Sequence, residues 1–181
     1  MKKQFNLIIA TALALFTGAC QEEYKAPTSA TVAMSGKWWY ELSLDANQDG
    51  IFNEDDGDEK FITYADYGAA DLLTSNTNAN DADSILITDQ IAPGFGQWPF
   101  TFHAPVDLAS LTLKPATGLY NFANEDAAVT VIEGKILKNA ATTLSGGKAD
   151  SIYIRLEFAD DEGSHYMFTG HRDTGFPEDQ Y

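Results

Sequence analysis

The stretch Ile152-Tyr153-Ile154-Arg155-Leu156-Glu157-Phe158 alternates large apolar side chains with charged or amphipathic ones. This alternation predicts a strand with one buried and one solvent-facing side, because successive side chains of a strand point to opposite faces. Asp160-Asp161-Glu162-Gly163 predicts a turn. Residues 164–171 then return with Tyr166 and Phe168 on one face. The two segments are therefore predicted to form a C-terminal β-hairpin.

Further short runs of β-branched and aromatic residues lie upstream, separated by Gly, Asn and Asp, and helical periodicity is lacking from Lys37 onward. The predicted strands are 38–44, 60–65, 84–88, 98–103, 111–113, 118–122, 129–132 and 135–138, the last two joined by a turn at Glu133-Gly134. About eight to ten antiparallel strands predict an all-β meander that closes as a barrel or pairs its sheets as a β-sandwich, because both remove exposed edges. The stretches 66–83 and 89–97 are predicted to be long loops that would border any ligand site.

The composition excludes several classes of protein. The 181 residues include 11 Lys and Arg against 27 Asp and Glu, a net charge of −16, which excludes a basic nucleic-acid surface. The length fits one domain, and 44% hydrophobic residues suffice for a packed core. A single cysteine permits neither an intrachain disulfide nor a Cys-rich zinc site.

The N-terminus has the pattern of a bacterial export signal over residues 1–19. Two lysines precede an apolar stretch at 5–16 that is too short to span a bilayer, which needs about 20 apolar residues. Phe16-Thr17-Gly18-Ala19-Cys20 resembles the lipobox of bacterial lipoproteins, although Thr17 stands where Leu is usual. We therefore predict a signal peptide cleaved before Cys20 and lipidation of Cys20. Ordinary signal cleavage that leaves a free thiol is the alternative.

Cleavage would remove two lysines and no acid, leaving nine basic against 27 acidic residues and a net charge of −18. Because such a chain is repelled by anionic headgroups, acyl chains on Cys20 must supply its attachment to the membrane. Gln21-Glu22-Glu23 is similar to the acidic tag of outward-facing lipoproteins of Gram-negative outer membranes, and this implies an outer-membrane location. Residues 20–35 are predicted to be a flexible tether, and 36–181 a single β-barrel domain.

Residues 45–56 match the EF-hand calcium loop in the spacing of its oxygen ligands and in the glycine at Gly50. The predicted ligands, with Ile51 acting through its carbonyl, are Asp45, Asn47, Asp49, Ile51, Asn53 and Asp56. The pattern resembles the calcium loops of dockerin modules, but no helix enters the loop and the last ligand is Asp rather than Glu. We expect a structural calcium ion; the alternative is an acidic, solvated connection that binds nothing specific.

Catalytic motifs are absent from the sequence, which contains no Gly-x-Ser-x-Gly, His-Glu-x-x-His or phosphate-binding loop. His103, His165 and His171 lack the close spacing of a zinc site, and each is interpreted as a partly exposed strand residue. We therefore predict no catalytic residues, and an enzyme is the less favoured interpretation.

Gly36-Lys37-Trp38 begins the first predicted strand and resembles the Gly-x-Trp signature of lipocalins and related barrels. In those barrels an Arg of the last strand packs on the Trp, and the resemblance implies that role for Arg172. A Gly allows the chain to enter the barrel base closely, and the Arg adds a cation–π contact. Trp39 lies on the opposite face of the strand, so only one of the two tryptophans can close the base.

Five stretches carry a family resemblance: residues 75–84, 134–140, 148–153 and 170–179, and the tripeptide Trp98-Pro99-Phe100. They are similar to the bacterial lipoprotein family described as "lipid-binding putative hydrolase", over roughly residues 36–181. The resemblance implies a lipocalin-like barrel that binds lipid and provides no named catalytic residue. The calcium-type loop is then an insertion in this member.

Two principal hypotheses follow. In the first, the barrel binds a small apolar ligand, a lipid or fatty acid, with Phe100, Phe102, Tyr166 and Phe168 turned toward a partly empty lumen. In the second, a calcium-stabilised surface module has a filled core and presents Trp39, Trp98 or Tyr67 to a glycan or protein partner. A hydrolase is the third interpretation and rests on the family description alone.

Overall fold

The computed structural model describes residues 28–62, 70–89 and 99–179. Within these ranges short 3-10 helices lie at Glu54–Asp56, Ala159–Asp161 and Pro177–Asp179, and no helix has the length and hydropathy needed to cross a bilayer. The strands of these ranges are β1 (Gly36–Asp45), β2 (Glu59–Ile62), β3 (Ala70–Asn76), β4 (Ser84–Asp89), β5 (Phe100–Asp107), β6 (Thr112–Leu113), β7 (Ala116–Leu119), β8 (Val129–Thr142), β9 (Lys148–Phe158) and β10 (His165–Arg172).

The strands form a closed antiparallel barrel. Its ring runs β1-β3-β4-β5-β6-β8-β9-β10 and closes by pairing of β10 with β1, from Trp38 opposite Arg172 to Asp45 opposite His165. β2 pairs with the end of β1 beyond β3, and β7 pairs with β8 beyond β6. The all-β meander is confirmed, and the barrel rather than the sandwich is correct, because the first and last strands satisfy each other's edges.

The barrel has two distinct ends, a mouth and a base. The mouth is the end where β1, β4 and β9 finish and where β5 and β10 begin, since Asp89 pairs with Phe100 and Leu44 with Tyr166. The base is the opposite end, where β1 begins at Gly36 beside Thr74 of β3. The strand register therefore determines which residues lie at each end of the barrel.

Two details of the predicted strands are wrong. The stretch 66–83 was predicted to be a loop, but its residues 70–76 form β3, and there Leu72 and Thr74 are buried on the inward face. Glu133-Gly134 is not a turn, because β8 continues through it with a register shift between Val131 and Glu133. Gly134 is required by packing: a Cβ there would lie 2.5 Å from Leu113 Cδ1. Of the predicted loop 89–97, Asp89 belongs to β4 and the remainder lies outside the described residues.

The packed unit also includes residues before Gly36. Thr31 and Met34 belong to the segment predicted to be tether, yet Thr31 is buried and Met34 joins the core cluster. Thr74 Oγ1 donates to the carbonyl oxygen of Met34 at 2.6 Å. The chain therefore meets the barrel at its base.

The described interior residues are closely packed. The base half contains aliphatic residues around a cavity of about 10 Å³, which has room for no more than one water molecule. The mouth half contains aromatic rings. The inward residues of the core are Trp38, Tyr40, Leu42, Leu72, Ile85, Ile87, Phe100, Phe102, Ala104, Val106, Leu113, Val129, Val131, Ile136, Ile152, Ile154, Leu156, Phe158, Tyr166 and Phe168.

Candidate functional site

The base is closed by Trp38 and Arg172. The Arg172 guanidinium carbon lies 4.6 Å from the Trp38 ring centroid, and Nη1 donates to the carbonyl oxygen of Ser35 at 2.8 Å. Trp38 itself is fully buried, and its Nε1 donates to Thr74 Oγ1 at 2.8 Å. A Cβ at Gly36 would lie 3.0 Å from Arg172 Nη1, so a glycine lets the guanidinium approach the chain. The structure thus brings Gly36, Trp38 and Arg172 together.

Trp39 does not form an exposed aromatic surface. Only 6% of it is accessible, and the Lys37 Nζ atom lies 3.9 Å from its ring centroid. The other two aromatics expected on a partner-binding surface, Tyr67 and Trp98, lie outside the described residues. Cys20, the predicted lipidation site, also lies outside them.

The four aromatic residues predicted to face the lumen, Phe100, Phe102, Tyr166 and Phe168, do point inward. They are packed against one another and against three further described rings, those of Tyr40, Phe61 and Phe158. Ring centroids are separated by 5.7 Å for Phe100–Phe102, 5.6 Å for Phe100–Phe158, 5.4 Å for Phe100–Phe168, 5.4 Å for Tyr40–Phe168, 5.8 Å for Phe158–Tyr166 and 6.2 Å for Phe61–Tyr166. The mouth half of the barrel is therefore an aromatic cluster.

Two acid–phenol pairs lie beside this aromatic cluster. Asp89, 6% exposed, is the last residue of β4 and shares the inward face with Ile85 and Ile87. Tyr40 donates its phenolic hydrogen to Asp89 Oδ2, and Tyr166 donates to Asp161 Oδ2. Burial, together with the Asp161 carboxylate, raises the pKa of Tyr166 above its ordinary value.

Asp89 was not predicted as a site residue. The alternation Ile85, Ile87, Asp89 was the signal that could have found it.

The acidic loop after β1 is anchored to the outer wall of the barrel. Asp45 is 1% exposed; its Oδ2 accepts from Arg155 Nη1 at 2.9 Å and from the backbone N–H of Gly50 at 3.1 Å. Its Oδ1 is buried and has no hydrogen-bond partner among the described residues. Arg155 Nη1 also donates to the carbonyl oxygen of Gln48 at 3.1 Å. An arginine of β9 therefore holds the first half of the loop.

Two neighbouring side chains complete this attachment. Tyr153 donates to the carbonyl oxygen of Gly50 and to Glu133 Oε1, both at 3.1 Å, and Arg155 Nη2 lies 3.4 Å from Glu133 Oε1. Burial and the Glu133 charge raise the pKa of Tyr153. Burial alone would lower the pKa of Arg155, but its hydrogen bond to Asp45 and the nearby acids raise it overall. The guanidinium therefore stays charged at this position.

The other predicted calcium ligands form local hydrogen bonds. Asn47 Nδ2 donates to Asp49 Oδ2 at 3.2 Å, and Asn53 Nδ2 donates to Asp56 Oδ2 at 2.7 Å. Ile51 donates its N–H to Asp49 Oδ1 at 2.8 Å. Asp58 closes the loop by accepting from the backbone N–H groups of Ala46 and Asn53. Over the ranges that the structure describes, no three His, Cys, Asp or Glu residues are grouped so as to hold a metal ion.

The outer surface near the mouth carries a pair of exposed aromatic residues. Tyr120 and Phe122 are 52% and 57% exposed, with ring centroids 5.0 Å apart, and the His103 ring lies 5.2 Å from Phe122. Asn121 between them is buried and accepts from the N–H groups of Thr101 and Ala123. Buried hydrogen bonds therefore position the two exposed rings.

A polar cleft of about 190 Å³ lies at the base. Its lining includes Asn139, Lys148, Asp150, Arg172 and Asp173. Asp150 Oδ2 lies 2.9 Å from Lys138 Nζ and 3.1 Å from Arg172 Nε. Burial alone would raise the pKa of Asp150, but the bond from Lys138 and the neighbouring charges lower it overall. The cleft thus contains paired charges of both signs.

The comparison with known protein families agrees with this architecture. The family model described as "Lipid-binding putative hydrolase" matches residues 23–177, which is most of the chain. No curated protein matches the chain. The family and the barrel fold both fit a lipid-binding domain. On this match, the chain belongs to the family described as "Lipid-binding putative hydrolase".

Proposed function

We propose that this chain is a surface-exposed outer-membrane lipoprotein whose barrel binds a small apolar ligand, a single-chain lipid, at its mouth. The observation that carries the proposal is the aromatic cluster inside the mouth half, where Phe100, Phe158 and Phe168 pack with centroid separations of 5.4–5.6 Å. Planar rings offer a large apolar area, and few torsion angles have to change when they move. An acyl chain would replace contacts between rings with contacts to itself.

The packing of the described interior residues bears on how binding would occur. The cavity of about 10 Å³ at the base does not hold an acyl chain, and the described rings of the mouth half are in mutual contact, so the proposed ligand displaces side chains. Of the described rings, Phe61 and Tyr166 lie closest to strand ends at the mouth, so an entering ligand would meet them before the deeper described rings. Binding and rearrangement at the mouth are therefore coupled.

The contacts of the residues before β1 support an orientation in which the mouth faces away from the membrane. Residues before β1 contact the base, where Lys138 Nζ donates to the carbonyl oxygen of Ala33 and Arg172 to that of Ser35. A tether from a lipidated Cys20 would therefore reach the barrel at its base. The mouth, at the opposite end, would then face away from the membrane.

The ligand proposal is tested by thermal melting of residues 21–181, which retain every described strand and the complete core, with single-chain lipids. The melting temperature should rise with ligand concentration, as linkage requires. Phe168→Ala at the mouth should change the ligand-induced rise in melting temperature. Ile85→Ala at the base should lower the melting temperature measured without ligand and leave the ligand-induced rise unchanged. No shift with any lipid would contradict the proposal.

We further propose that the loop at 45–56 binds a structural calcium ion. The supporting observation is the buried Asp45 Oδ1, an acceptor with no hydrogen-bond partner among the described residues. A calcium ion would be coordinated by this oxygen, and Asp49 and Asn53 would exchange their local hydrogen bonds for contacts with the metal. Arg155 already neutralises Oδ2, so calcium and the guanidinium would share one carboxylate.

Calorimetric titration of chelator-treated protein tests the calcium proposal. The heat of binding should disappear in Asp49→Ala and persist in Asp126→Ala, an exposed acid on another loop near the mouth. Arg155→Met should increase calcium affinity, because the ion then no longer competes with a guanidinium for Asp45. If Asp49→Ala and Asp126→Ala titrate alike, calcium does not bind in this loop.

A second candidate function is a surface module that binds a glycan or a protein partner. The close packing of the described interior residues and the exposed pair Tyr120 and Phe122 favour it. Exposed aromatic side chains are frequent energetic centres of recognition surfaces. This candidate predicts that Phe122→Ser abolishes binding to immobilised cell-surface glycans while the melting temperature is unaffected by lipids.

A further inference from the structure

Three exposed apolar side chains lie at the base of the barrel. Val32 precedes β1, Leu144 lies in the turn between β8 and β9, and Phe176 follows β10. Val32 is 55% exposed, and Leu144 and Phe176 are each 60% exposed. Single exposed apolar residues are normal on a protein surface, whereas several at one end are typical of a contact surface.

Hydrogen bonds join the two loops that carry Leu144 and Phe176. The N–H of Ser145, the residue after Leu144, donates to Asp179 Oδ1 at 2.9 Å. The N–H of Asp179 donates to the carbonyl oxygen of Phe176 at 3.0 Å, and Thr174 Oγ1 donates to Asp179 Oδ2 at 2.7 Å. The two apolar side chains are therefore presented by loops that are attached to each other.

The turn that carries Val32 is attached to the same end of the barrel. Thr31 and Met34 are buried, and Lys138 Nζ donates to the carbonyl oxygen of Ala33 at 3.0 Å. The neighbours of Val32 supply the contacts with the barrel, and its own side chain stays exposed.

The charges at the base do not favour an anionic partner. The segments that carry the three side chains, 28–37, 138–150 and 170–179, contain four Lys or Arg and four Asp or Glu. The other described turns at this end, 77–83 and 107–111, add three acids and no Lys or Arg. Because positive charge is not in excess, contact of the base with a lipid surface would depend on apolar side chains.

The length of the proposed tether keeps the base close to a bilayer. Seven residues separate Cys20 from Thr28, where the described chain begins. Fully extended, this linker spans at most about 30 Å. A short linker gives the base a high effective concentration of lipid, so a contact that is weak by itself suffices.

We infer that the base is a membrane-contact surface, on which Val32, Leu144 and Phe176 enter the interfacial region of the bilayer that carries the anchor. This inference rests on the proposed anchoring through Cys20 and adds a second, direct attachment. The lipid is one with no net charge, such as phosphatidylcholine, because the base has no excess of positive charge. Two attachments at one end fix the orientation of the barrel, with the mouth away from the bilayer.

Tryptophan quenching by brominated lipid tests the inference. Residues 20–181 are coupled through Cys20, the single cysteine, to a maleimide lipid in phosphatidylcholine vesicles, so that the anchor does not depend on acylation. Phe176→Trp places a fluorophore at the base, and Phe122→Trp, at a residue that is 57% exposed near the mouth, is the matched control. With bromine near the headgroup ends of the acyl chains, the emission that Phe176→Trp adds to the wild type should fall at least about twofold. The emission added by Phe122→Trp should not change.

Two further measurements test the apolar nature of the contact. Leu144→Ser combined with Phe176→Trp should weaken the quenching, and replacement of part of the phosphatidylcholine by phosphatidylglycerol should not increase it. Stronger quenching with phosphatidylglycerol would show that charge makes the contact and would contradict the inference.

The control separates this inference from the proposals on which it rests. Absence of quenching in Phe176→Trp, or equal quenching in the two variants, overturns the membrane-contact surface and leaves acylation of Cys20 to its own test. Quenching of Phe122→Trp alone would mean that the mouth faces the bilayer, and the proposed orientation would fail as well.

Discussion

Contacts between different strands explain the residue type at two positions, Gly134 and Arg172. Gly134 lies inside β8, where sequence rules would place a turn, because β6 presents Leu113 directly against it. Arg172 packs on Trp38 from the last strand of the barrel to the first. Both cases show a residue selected by a contact with a different strand rather than by its neighbours in sequence.

Gly134→Ala should destabilise the barrel by about 1–3 kcal/mol, the usual cost of an overpacked core. The added Cβ would lie 2.5 Å from Leu113 Cδ1 and 2.7 Å from Leu113 Cγ. Urea denaturation measures the change in the free energy of unfolding. In a Leu113→Ala background the same substitution should cost much less, because the clashing atoms are gone. Equal costs in both backgrounds would refute this explanation.

Two elements are held in place by hydrogen bonds to residues that are distant in sequence. The loop after β1 is attached to the barrel wall through Arg155 and Tyr153 of β9. The C-terminal 3-10 helix at Pro177–Asp179 is attached to the hairpin between β8 and β9, since Asp179 Oδ1 accepts from the N–H of Ser145 at 2.9 Å. Thr174 Oγ1 donates to the other carboxylate oxygen at 2.7 Å.

This C-terminal attachment should depend on pH. The hydrogen bond from the Ser145 N–H, with that from Thr174, lowers the pKa of Asp179 from 3.8 to about 2. A depressed carboxyl pKa contributes stability that is complete above the unfolded value and is lost as the pH falls through the folded value. Between about pH 4 and pH 2 the melting temperature of the wild type should therefore fall more than that of Asp179→Asn. Parallel melting curves for the two proteins over this range would count against the attachment.

The whole molecule has two unlike ends. The base contains paired charges of both signs and receives the chain from its N-terminal side. The described segments at the mouth are rich in carboxylates, such as those of residues 54–56 and 160–162, and aromatic rings lie inside. For an anchored protein, this arrangement directs the acidic end away from anionic lipids. The proposed anchoring, the proposed ligand entry and the charge distribution are consistent with one orientation.

Cys20→Ser should abolish incorporation of labelled palmitate and release the protein from the membrane fraction, since acyl chains are the proposed anchor. Protease added to intact cells should digest the wild-type protein if the barrel faces outward. A conservative control, Ser29→Ala, lies in the proposed tether and should change neither result. Retention of Cys20→Ser in the membrane fraction would mean that something other than acylation attaches the chain.

The local sequence pattern predicts several strands of this barrel and the faces on which their side chains lie. The alternation over Ile152–Phe158 predicted β9 and its hairpin with β10, and the tripeptide Gly36-Lys37-Trp38 located the start of β1 at the barrel base. Inward placement of Phe100, Phe102, Tyr166 and Phe168 followed from the same two-residue period. These features depend on residues within one strand, so the sequence alone predicts them.

Only the tertiary structure decided the rest. The choice of barrel over sandwich depends on pairing between β1 and β10, and Arg155 holds Asp45 from 110 residues away. The aromatic cluster depends on how rings from five different strands meet, and the burial of Asp89 depends on which strands surround it. The alternation of apolar and polar residues along a strand predicts the face on which each side chain lies. The residues that this side chain contacts depend on closure of the barrel, because closure brings segments together that are distant in sequence.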